Sequence, residues 1–340
     1  MPKGRDRLSR STLRWILAAL LVLSLLFTLS APFIADAEEA ALPLDFTEGG
    51  KLPKDEGWTF EGKRPVSYED STIRVTFEKT VFSHKLSAGS RKGKTVRDEA
   101  WIVRVKIQDV SQFRTAVSRD SYKGRARSDA VEIANSKNAV VAMNGDFFKY
   151  EWDVGYIVRQ GELIRDATGN ARGRVFDMLL VDSEGDFHPV YSAKTKSIGA
   201  FVDEYLTPFG LTVLDTFNLG PVLVVNGEAQ DVSTSEAARQ GMYYWRKPEQ
   251  RIAVAQTGHL EYAIVMIGTK PEVTGLTMQE FADFVAQQCP DALLAYNMDG
   301  GGSLSLISRK SAKSPKLEMI CRYSGHRNIT DILYFASAED

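Results

Sequence analysis

The chain has 340 residues, of which 44% are hydrophobic and 25% charged, and these values are typical of a soluble globular protein. Its 42 basic and 44 acidic residues give a formal net charge of -2, so no overall basic field favours nucleic acid as a partner. Length alone allows one large domain or two smaller ones. The two cysteines, Cys289 and Cys321, are too few for a disulfide scaffold, and the sequence leaves open whether they pair or remain buried thiols.

The N-terminal segment is typical of an export signal. Basic residues from Lys3 to Arg14 precede the almost unbroken apolar run Trp15–Leu29, and Ala35-Asp36-Ala37 resembles a small-x-small cleavage site. The apolar run is shorter than the about 20 residues that a membrane-spanning helix needs. The clustered arginines would hold the N-terminus in the cytosol. We therefore predict that residues 1–37 are a cleaved signal peptide or an uncleaved membrane anchor, and that the remainder is exported.

The next part of the chain changes from a polar lead-in to alternating strands. Residues 38–65 are rich in Glu, Lys, Pro and Gly, which predicts a flexible lead-in. Apolar residues then alternate with charged ones over residues 71–81 and again over residues 101–107, which predicts two neighbouring strands or a hairpin. Ser128-Asp129 is a helix-start signal, and we expect a short helix from there to about Lys137.

Two apolar strands are followed directly by polar residues. Ala139–Met143 predicts a buried strand that leads into Asn144-Gly145-Asp146. Further along, the capping box Thr277–Glu280 predicts the start of a helix that Pro290 ends. Because strands dominate and two helices are clear, we predict an α+β fold with mixed β-sheets, a few flanking helices and a single catalytic domain over residues 66–337.

A second apolar run, Ala292–Ala295, leads into Asn297 and Asp299 and then into three consecutive glycines. Glycines in a row cost conformational entropy, so a folded domain keeps them where the backbone turns sharply or approaches another group closely. The glycines precede a strand, whereas phosphate-binding loops of nucleotide-binding folds precede a helix. This stretch therefore predicts a site other than a nucleotide loop.

The polar residues at these strand ends suit a sugar linked through a phosphate. Carboxylates such as Asp146 and Asp299 can supply acid and base at an anomeric carbon. Arginines such as Arg251 and Arg327 can hold a phosphate in a bidentate manner, and glycine-rich backbone amides can line an anion cavity. The four histidines are scattered, so no metal site is predicted and the sequence requires no cofactor. The same residues are compatible with passive binding of a phosphorylated glycan.

Six short motifs together resemble the phosphodiester glycosidase family, including its bacterial exopolysaccharide biosynthesis-type relatives. They occur in the order expected for the family and cover roughly residues 100–337. The motifs are NGDFF (144–148), GPVLVVNG (220–227), RIAVA (251–255), LTMQEFA (276–282), NMDGGGS (297–303) and RNITD (327–331). The resemblance implies an enzyme that acts on glycosyl-1-phosphodiesters.

Within these motifs, residue type suggests a role for each side chain. Asp299 and Asp146 are the predicted catalytic residues. The predicted substrate-binding residues are Asn144 and Ser303 for sugar hydroxyls, Arg251 and Arg327 for the phosphate, and Asn297, Gly300, Gly301 and Gly302 for close approach of the substrate. The expected function is hydrolysis of a sugar-1-phosphodiester in a cell-envelope or extracellular glycan. The alternative is a non-catalytic envelope protein that binds a phosphorylated polysaccharide during its assembly.

The chain departs from the usual family pattern at two acidic positions. The family often has a second glycine where this chain has Asp146. It commonly has Arg-Pro-Val-Ser-Asn where this chain has residues 327–331, so that Asp331 replaces an asparagine. Because of the first departure, the family pattern does not assign a general catalytic role to position 146, whereas Asn144 stays in place.

Overall fold

The fold is described from a computed structural model. It covers residues 41–87, 92–122, 126–146, 156–166, 177–191, 198–218, 220–235, 238, 246–268, 275–322 and 326–340. The predicted signal or anchor segment, residues 1–37, lies outside these ranges. Across the described ranges, no helix combines the length and apolar character needed to cross a membrane.

Strands are the predominant secondary structure of the described chain, and each forms where apolar residues recur with a period of two or in a short continuous run. They are β1 (Trp58–Glu61), β2 (Arg64–Glu69), β3 (Ile73–Lys85), β4 (Thr95–Ile107), β5 (Phe113–Val117), β6 (Ala139–Asn144), β7 (Tyr156–Arg159), β8 (Glu162–Asp166), β9 (Met178–Asp182), β10 (Phe187–Val190), β11 (Val213–Asn218), β12 (Val222–Val225), β13 (Glu228–Ala229), β14 (Arg251–Gly258), β15 (Glu261–Ile267), β16 (Leu294–Asn297), β17 (Ser305–Ser308), β18 (Glu318–Arg322) and β19 (Asp331–Ala336). Within the described ranges the α-helices are α1 (Ala130–Ser136), α2 (Ile198–Tyr205) and α3 (Met278–Gln288).

Two large sheets carry the fold. A nine-stranded sheet has the order β1-β2-β3-β4-β15-β14-β16-β12-β13, and a five-stranded sheet has the order β18-β17-β6-β19-β5. A three-stranded sheet, β10-β9-β11, and the hairpin β7-β8 complete the architecture. The strand-rich fold with flanking helices agrees with the α+β prediction. The sheets are not mixed in direction, however, because every strand pair in the described ranges is antiparallel.

The main hydrophobic core lies between the two large sheets. Side chains from both contribute to it, among them Val103, Val254 and Tyr296 from the nine-stranded sheet and Met143 and Leu333 from the five-stranded sheet. Helix α3 covers the other face of the nine-stranded sheet, and helix α1 covers the other face of the five-stranded sheet. β6 and β16 are therefore packed on both faces, and this packing positions the polar residues at their C-terminal ends.

Two helices begin at the residues that the sequence signals predict. Thr277 caps α3, and the side chains of Thr277 and Glu280 satisfy one another's backbone amides in the predicted capping box. Asp129 caps α1 by accepting from the amide of Val131. Helix α2, which packs on the three-stranded sheet through Ile198 and Phe201, is an element that the sequence patterns do not predict.

The lead-in predicted to be flexible is instead folded onto the domain from residue 41 onward. Leu42 is 1% exposed in the core beneath α1, and the buried guanidinium of Arg114 donates to the carbonyl oxygens of Pro43, Asp45 and Glu48. Farther along, β1 and β2 form the edge of the nine-stranded sheet. The polar composition misleads because these contacts are made by residues distant in sequence. The domain boundary expected at residue 66 is therefore not the edge of the folded unit.

The two cysteines lie apart and do not form a disulfide. Cys289 follows α3 and Cys321 lies on β18, and both thiols are buried. Burial raises the pKa of Cys289 to about 11 and that of Cys321 to about 12. Both therefore act as small hydrophobic side chains rather than as nucleophiles.

Candidate functional site

The candidate site is built where strands of the two large sheets end beside each other. β6 of the five-stranded sheet ends at Asn144, and β16 of the nine-stranded sheet ends two residues before Asp299. The amide Nδ2 of Asn144 donates to the carbonyl oxygen of Asp299 at 2.6 Å, and its Oδ1 accepts from the backbone amide of Ser305 at 3.0 Å. The backbone amide of Asp299 donates to the carbonyl oxygen of Gly145 at 3.4 Å. Asn144 therefore fixes the backbone that carries Asp299.

Asp299 and Arg327 form a pair that reaches solvent. Arg327 Nη2 lies 3.1 Å from Asp299 Oδ2, and Arg327 Nε donates to Ser303 Oγ at 2.9 Å. The side chain of Asp299 is 18% exposed and that of Arg327 is 52% exposed, so a ligand can approach both. Burial raises the pKa of Asp299, while the hydrogen bond from Ser303 and the charge of Arg327 act in the opposite direction.

The glycine turn brings the backbone of Asp299 close to β14. A Cβ on Gly300 would lie 2.5 Å from the carbonyl oxygen of Gln250, which precedes the first residue of β14. Gly301 has a φ of +56°, in the left-handed region that favours glycine, and its amide donates to the same carbonyl oxygen at 3.1 Å. The carbonyl of Gly302 accepts from the backbone amide of Arg327 at 2.9 Å. Close approach at Gly300 and a left-handed residue at Gly301 are therefore the physical reasons for the glycines here.

Asp146 lies behind this pair and is shielded from solvent. Its side chain is 2% exposed; Oδ2 accepts from the backbone amide of Asn218 at 2.7 Å, and Oδ1 accepts from Arg159 Nη2 at 3.2 Å. Burial raises the pKa of Asp146. The charge of Arg159 and the hydrogen bond from the Asn218 amide lower this pKa, and the charge of Asp299 raises it. The catalytic role predicted for Asp146 stays a prediction, and in this arrangement Asp299 is the more accessible carboxylate.

Two further residues of the site, Arg159 and Asp331, were not predicted from the sequence. Arg159 is fully buried, and its Nη2 donates to Asp331 Oδ2 at 3.0 Å as well as to Asp146. Its Nη1 donates to the carbonyl oxygens of Val158 and Thr216. A usable signal is present in the sequence, because Arg159 ends a short apolar strand just as Asn144 ends β6.

Arg251 and Asn297 are close to the glycine turn through their backbone, but the side-chain hydrogen bonds described for them go to other parts of the chain. Arg251 is 4% exposed; its Nε donates to the carbonyl oxygen of Leu276 at 2.7 Å and its Nη2 to that of Lys247 at 2.8 Å. Asn297 Nδ2 donates to the carbonyl oxygen of Gly220 at 2.9 Å. The phosphate-binding role of Arg251 and the substrate-binding role of Asn297 therefore stay predictions.

The described residues thus bring together eight of the ten predicted positions. They are Asn144, Asp146, Asp299, Gly300, Gly301, Gly302, Ser303 and Arg327. Within the described ranges, no group of three or more His, Cys, Asp or Glu side chains is arranged to hold a metal ion. An accessible carboxylate with a raised pKa beside an exposed guanidinium can exchange a proton and hold an anion.

Comparison with known proteins identifies the family of this chain. A sequence profile of the family described as phosphodiester glycosidase matches residues 137–336, which include every predicted site residue. The chain belongs to the phosphodiester glycosidase family. The match confirms the resemblance carried by the six motifs.

Solved structures are similar to this phosphodiester glycosidase family member at low identity, and the first of the two described here shares its fold. The zebrafish N-acetylglucosamine-1-phosphodiester alpha-N-acetylglucosaminidase catalytic domain, auto-inhibited by its pro-peptide, is 16% identical with a TM-score of 0.56; the alignment covers 78% of this chain and 88% of that chain. A hypothetical protein from Synechocystis is 13% identical with a TM-score of 0.41, over 80% of this chain and 76% of that chain. No curated protein matches the chain.

Proposed function

We propose that the protein is a hydrolase that cleaves sugar-1-phosphodiesters. The observation that carries the proposal is the solvent-accessible pair of Asp299 and Arg327, held by Asn144 and Ser303 at the end of two strands. Membership of the phosphodiester glycosidase family supports it. So does the name of the zebrafish relative, which specifies N-acetylglucosamine-1-phosphodiester as that enzyme's substrate.

The reaction breaks the bond between the anomeric carbon and the bridging phosphate oxygen. Water adds to the anomeric carbon, and the phosphate leaves as a monoester, so the products are a reducing sugar and a phosphomonoester. Asp299 is the group suited to exchange the proton, because burial raises its pKa while the side chain stays accessible. Arg327 is suited to the phosphate, because its guanidinium is half exposed and already oriented by Ser303.

We further propose that the substrate is a glycan of the cell envelope or the extracellular space. This part rests on the predicted export signal over residues 1–37, which would carry the domain out of the cytosol or anchor it at the outer face of the membrane. A phosphorylated polysaccharide is then a substrate that the exported domain would meet.

An activity screen tests the proposal. The purified full-length protein is incubated with a panel of glycosyl-1-phosphodiesters and sugar-phosphate-linked envelope polymers, and the release of reducing sugar is measured. We expect release from at least one substrate, and a loss of about 10²- to 10⁴-fold in Asp299→Asn. Asn328→Ala serves as the matched control, because Asn328 is an exposed neighbour of Arg327.

Two outcomes would count against hydrolysis. The first is no release by the wild-type protein across the panel, and the second is full activity in Asp299→Asn. Tight binding of a polymer without turnover, retained in Asp299→Asn, would favour the non-catalytic envelope protein that the sequence also allows.

A further inference from the structure

Behind Asp299 the structure holds more buried negative charge than positive charge. Within the described residues, one guanidinium, that of Arg159, faces the carboxyl groups of Asp146, Asp331 and Asp215, and all four side chains are buried. Tyr122 also faces this cluster, and burial raises its pKa so that it stays neutral. An uncompensated charge in a protein interior is costly, so a buried carboxyl group without its own cation tends to keep its proton.

Hydrogen bonding indicates which carboxyl group keeps it. Asp215 accepts from Thr115 Oγ1 at 2.8 Å and from both the backbone and the side-chain amide of Gln160. Asp146 accepts from the Asn218 amide as well as from Arg159. The support of Asp331 in the described structure is weaker, because beside Arg159 it has a single contact of 3.3 Å with Thr330 Oγ1.

Asp331 also packs against the backbone that supports Asp299. A Cβ on Gly145 would lie 2.4 to 2.6 Å from the carboxyl atoms of Asp331, so this carboxyl group rests directly on Gly145. The Gly145 amide donates to the Asp331 carbonyl oxygen at 3.0 Å, and the Gly145 carbonyl accepts from the Asp299 amide. Asp331 and Asp146 accept from the same nitrogen, Arg159 Nη2. These contacts link Asp331 to Asp299 through one glycine and one ion cluster.

We propose that Asp331 is a positioning residue. Asp331 and Asp146, which both accept from Arg159, hold one proton between them, and the charge of this pair sets the pH range in which Asp299 can exchange a proton. The second half of the inference rests on the proposed hydrolysis. Burial and the neighbouring charge of Asp146 raise the pKa of Asp331 to about 7, which is consistent with a proton held near neutral pH. Asp146 interacts with Asp299, so a change of charge in the pair is felt at Asp299.

The rate profile tests the positioning role. The wild-type pair carries one negative charge while it holds its proton and two once the proton leaves, at a pH of about 7. Asp331→Asn keeps the shape of the side chain but cannot ionise, so the pair stays at one charge throughout. We expect the wild-type kcat profile to change around that pH as the added charge acts on Asp299, and we expect this change to be absent in Asp331→Asn. Asp98→Asn is the matched control, because Asp98 is an equally buried carboxyl group on β4 with a pKa raised by burial. Its profile should keep the change, and a change that persists in Asp331→Asn overturns the positioning role.

Thermal unfolding tests the shared proton without any substrate. The pKa of Asp331 is raised in the folded state, so the wild type loses stability as the pH rises from its unfolded value of 3.8 to about 7. The thermal midpoint of Asp331→Asn minus that of the wild type should therefore increase with pH over this range and stay constant above it. A difference that is constant with pH overturns the shared proton.

A second variant keeps the test open if Asp331→Asn does not fold. Asp146→Asn removes the other member of the pair, lets Asp331 ionise beside Arg159, and should show the same widening of the thermal difference with pH. Its failure to do so also overturns the shared proton. A wild-type protein that cleaves no substrate would contradict the proposed hydrolysis, while the thermal measurements would still decide the shared proton.

Discussion

The side chain of Asn144 donates to the carbonyl oxygen of Asp299 at 2.6 Å and so joins two sheets at the candidate site. Asn144 is 1% exposed, and its amide oxygen accepts from Ser305. Both functional atoms of the side chain are thus used to hold backbone. Asn144 therefore shapes the candidate site, and its contact with a sugar hydroxyl stays a prediction.

The first prediction concerns the stability that Asn144 provides. Asn144→Ala leaves the Ser305 amide and the Asp299 carbonyl without their partner, and each unsatisfied buried group costs about 1–3 kcal/mol. We expect a loss of about 2–4 kcal/mol in the free energy of unfolding, measured by urea denaturation. The exposed neighbour control Asn328→Ala should stay within about 0.5 kcal/mol of wild type. Equal stability of the two variants would contradict the bonding scheme.

The second prediction concerns the pH dependence of hydrolysis. The positive charge of Arg327 holds down the pKa of Asp299, which burial raises. Arg327→Gln removes that charge, so the limb of the kcat profile that belongs to Asp299 should move to higher pH by up to about one unit. Arg327→Lys keeps the charge and should move the limb less. A limb that stays in place in Arg327→Gln would show that Asp299 does not control it.

The third prediction separates the roles of the glycines. Gly300→Ala would place its Cβ 2.5 Å from the carbonyl of Gln250, and we expect a loss of about 1–3 kcal/mol because backbone must move. A Cβ on Gly301 meets no atom within 4 Å, so Gly301→Ala should cost only the about 1 kcal/mol of its left-handed backbone. Gly301→Asn should cost less, since asparagine tolerates this conformation. Denaturation midpoints that reverse this order would contradict the geometry.

The fourth prediction concerns the buried arginine. Arg159→Met leaves the carboxyl groups of Asp146 and Asp331 without their cation, which should cost about 3–5 kcal/mol. The triple variant Arg159→Met/Asp146→Asn/Asp331→Asn removes the charges together and should recover much of that loss. Unfolding free energies at neutral pH are the measurement. A single variant as stable as the wild type would show that the cluster is not held by this ion pairing.

The fifth prediction decides between two roles for Arg251. Its guanidinium donates to the carbonyl oxygens of Leu276 and Lys247, so Arg251→Gln should lower stability by about 1–3 kcal/mol through lost charged hydrogen bonds. A structural role of this kind predicts a small change in KM once the variant is folded. An unchanged unfolding midpoint with a KM raised tenfold or more would instead support the phosphate-binding role predicted from the sequence.

The parts of the fold that were predictable depend on neighbours in sequence. Alternating apolar residues predict the hairpin of β3 and β4, and the residues Thr277 and Glu280 predict the start of α3, because each pattern acts over a few residues. The prediction of a flexible lead-in is wrong because its partner, Arg114, lies 71 positions from Pro43 and 69 positions from Asp45. Composition carries no information about such a contact.

The same limit applies to the candidate site. The motifs correctly place Asn144, Asp299, Ser303 and Arg327 together, because strand ends and glycine turns are visible locally. The ion cluster behind them is not visible, since its members come from separate strands. Both acidic departures from the family pattern, at positions 146 and 331, turn out to accept from the same arginine. Two departures that are far apart in sequence therefore belong to one ion cluster around Arg159.

The separation of 155 positions between Asn144 and Asp299 has a consequence for how the candidate site forms. Closing so long a stretch of chain is entropically costly, and contacts of this kind form after local strand pairing. The sheets themselves depend on equally distant pairings, since Met143 of β6 pairs with Leu306 of β17 and Val105 of β4 pairs with Tyr262 of β15. The candidate site therefore forms only when distant parts of the chain have paired, so neither half of the domain can form it alone.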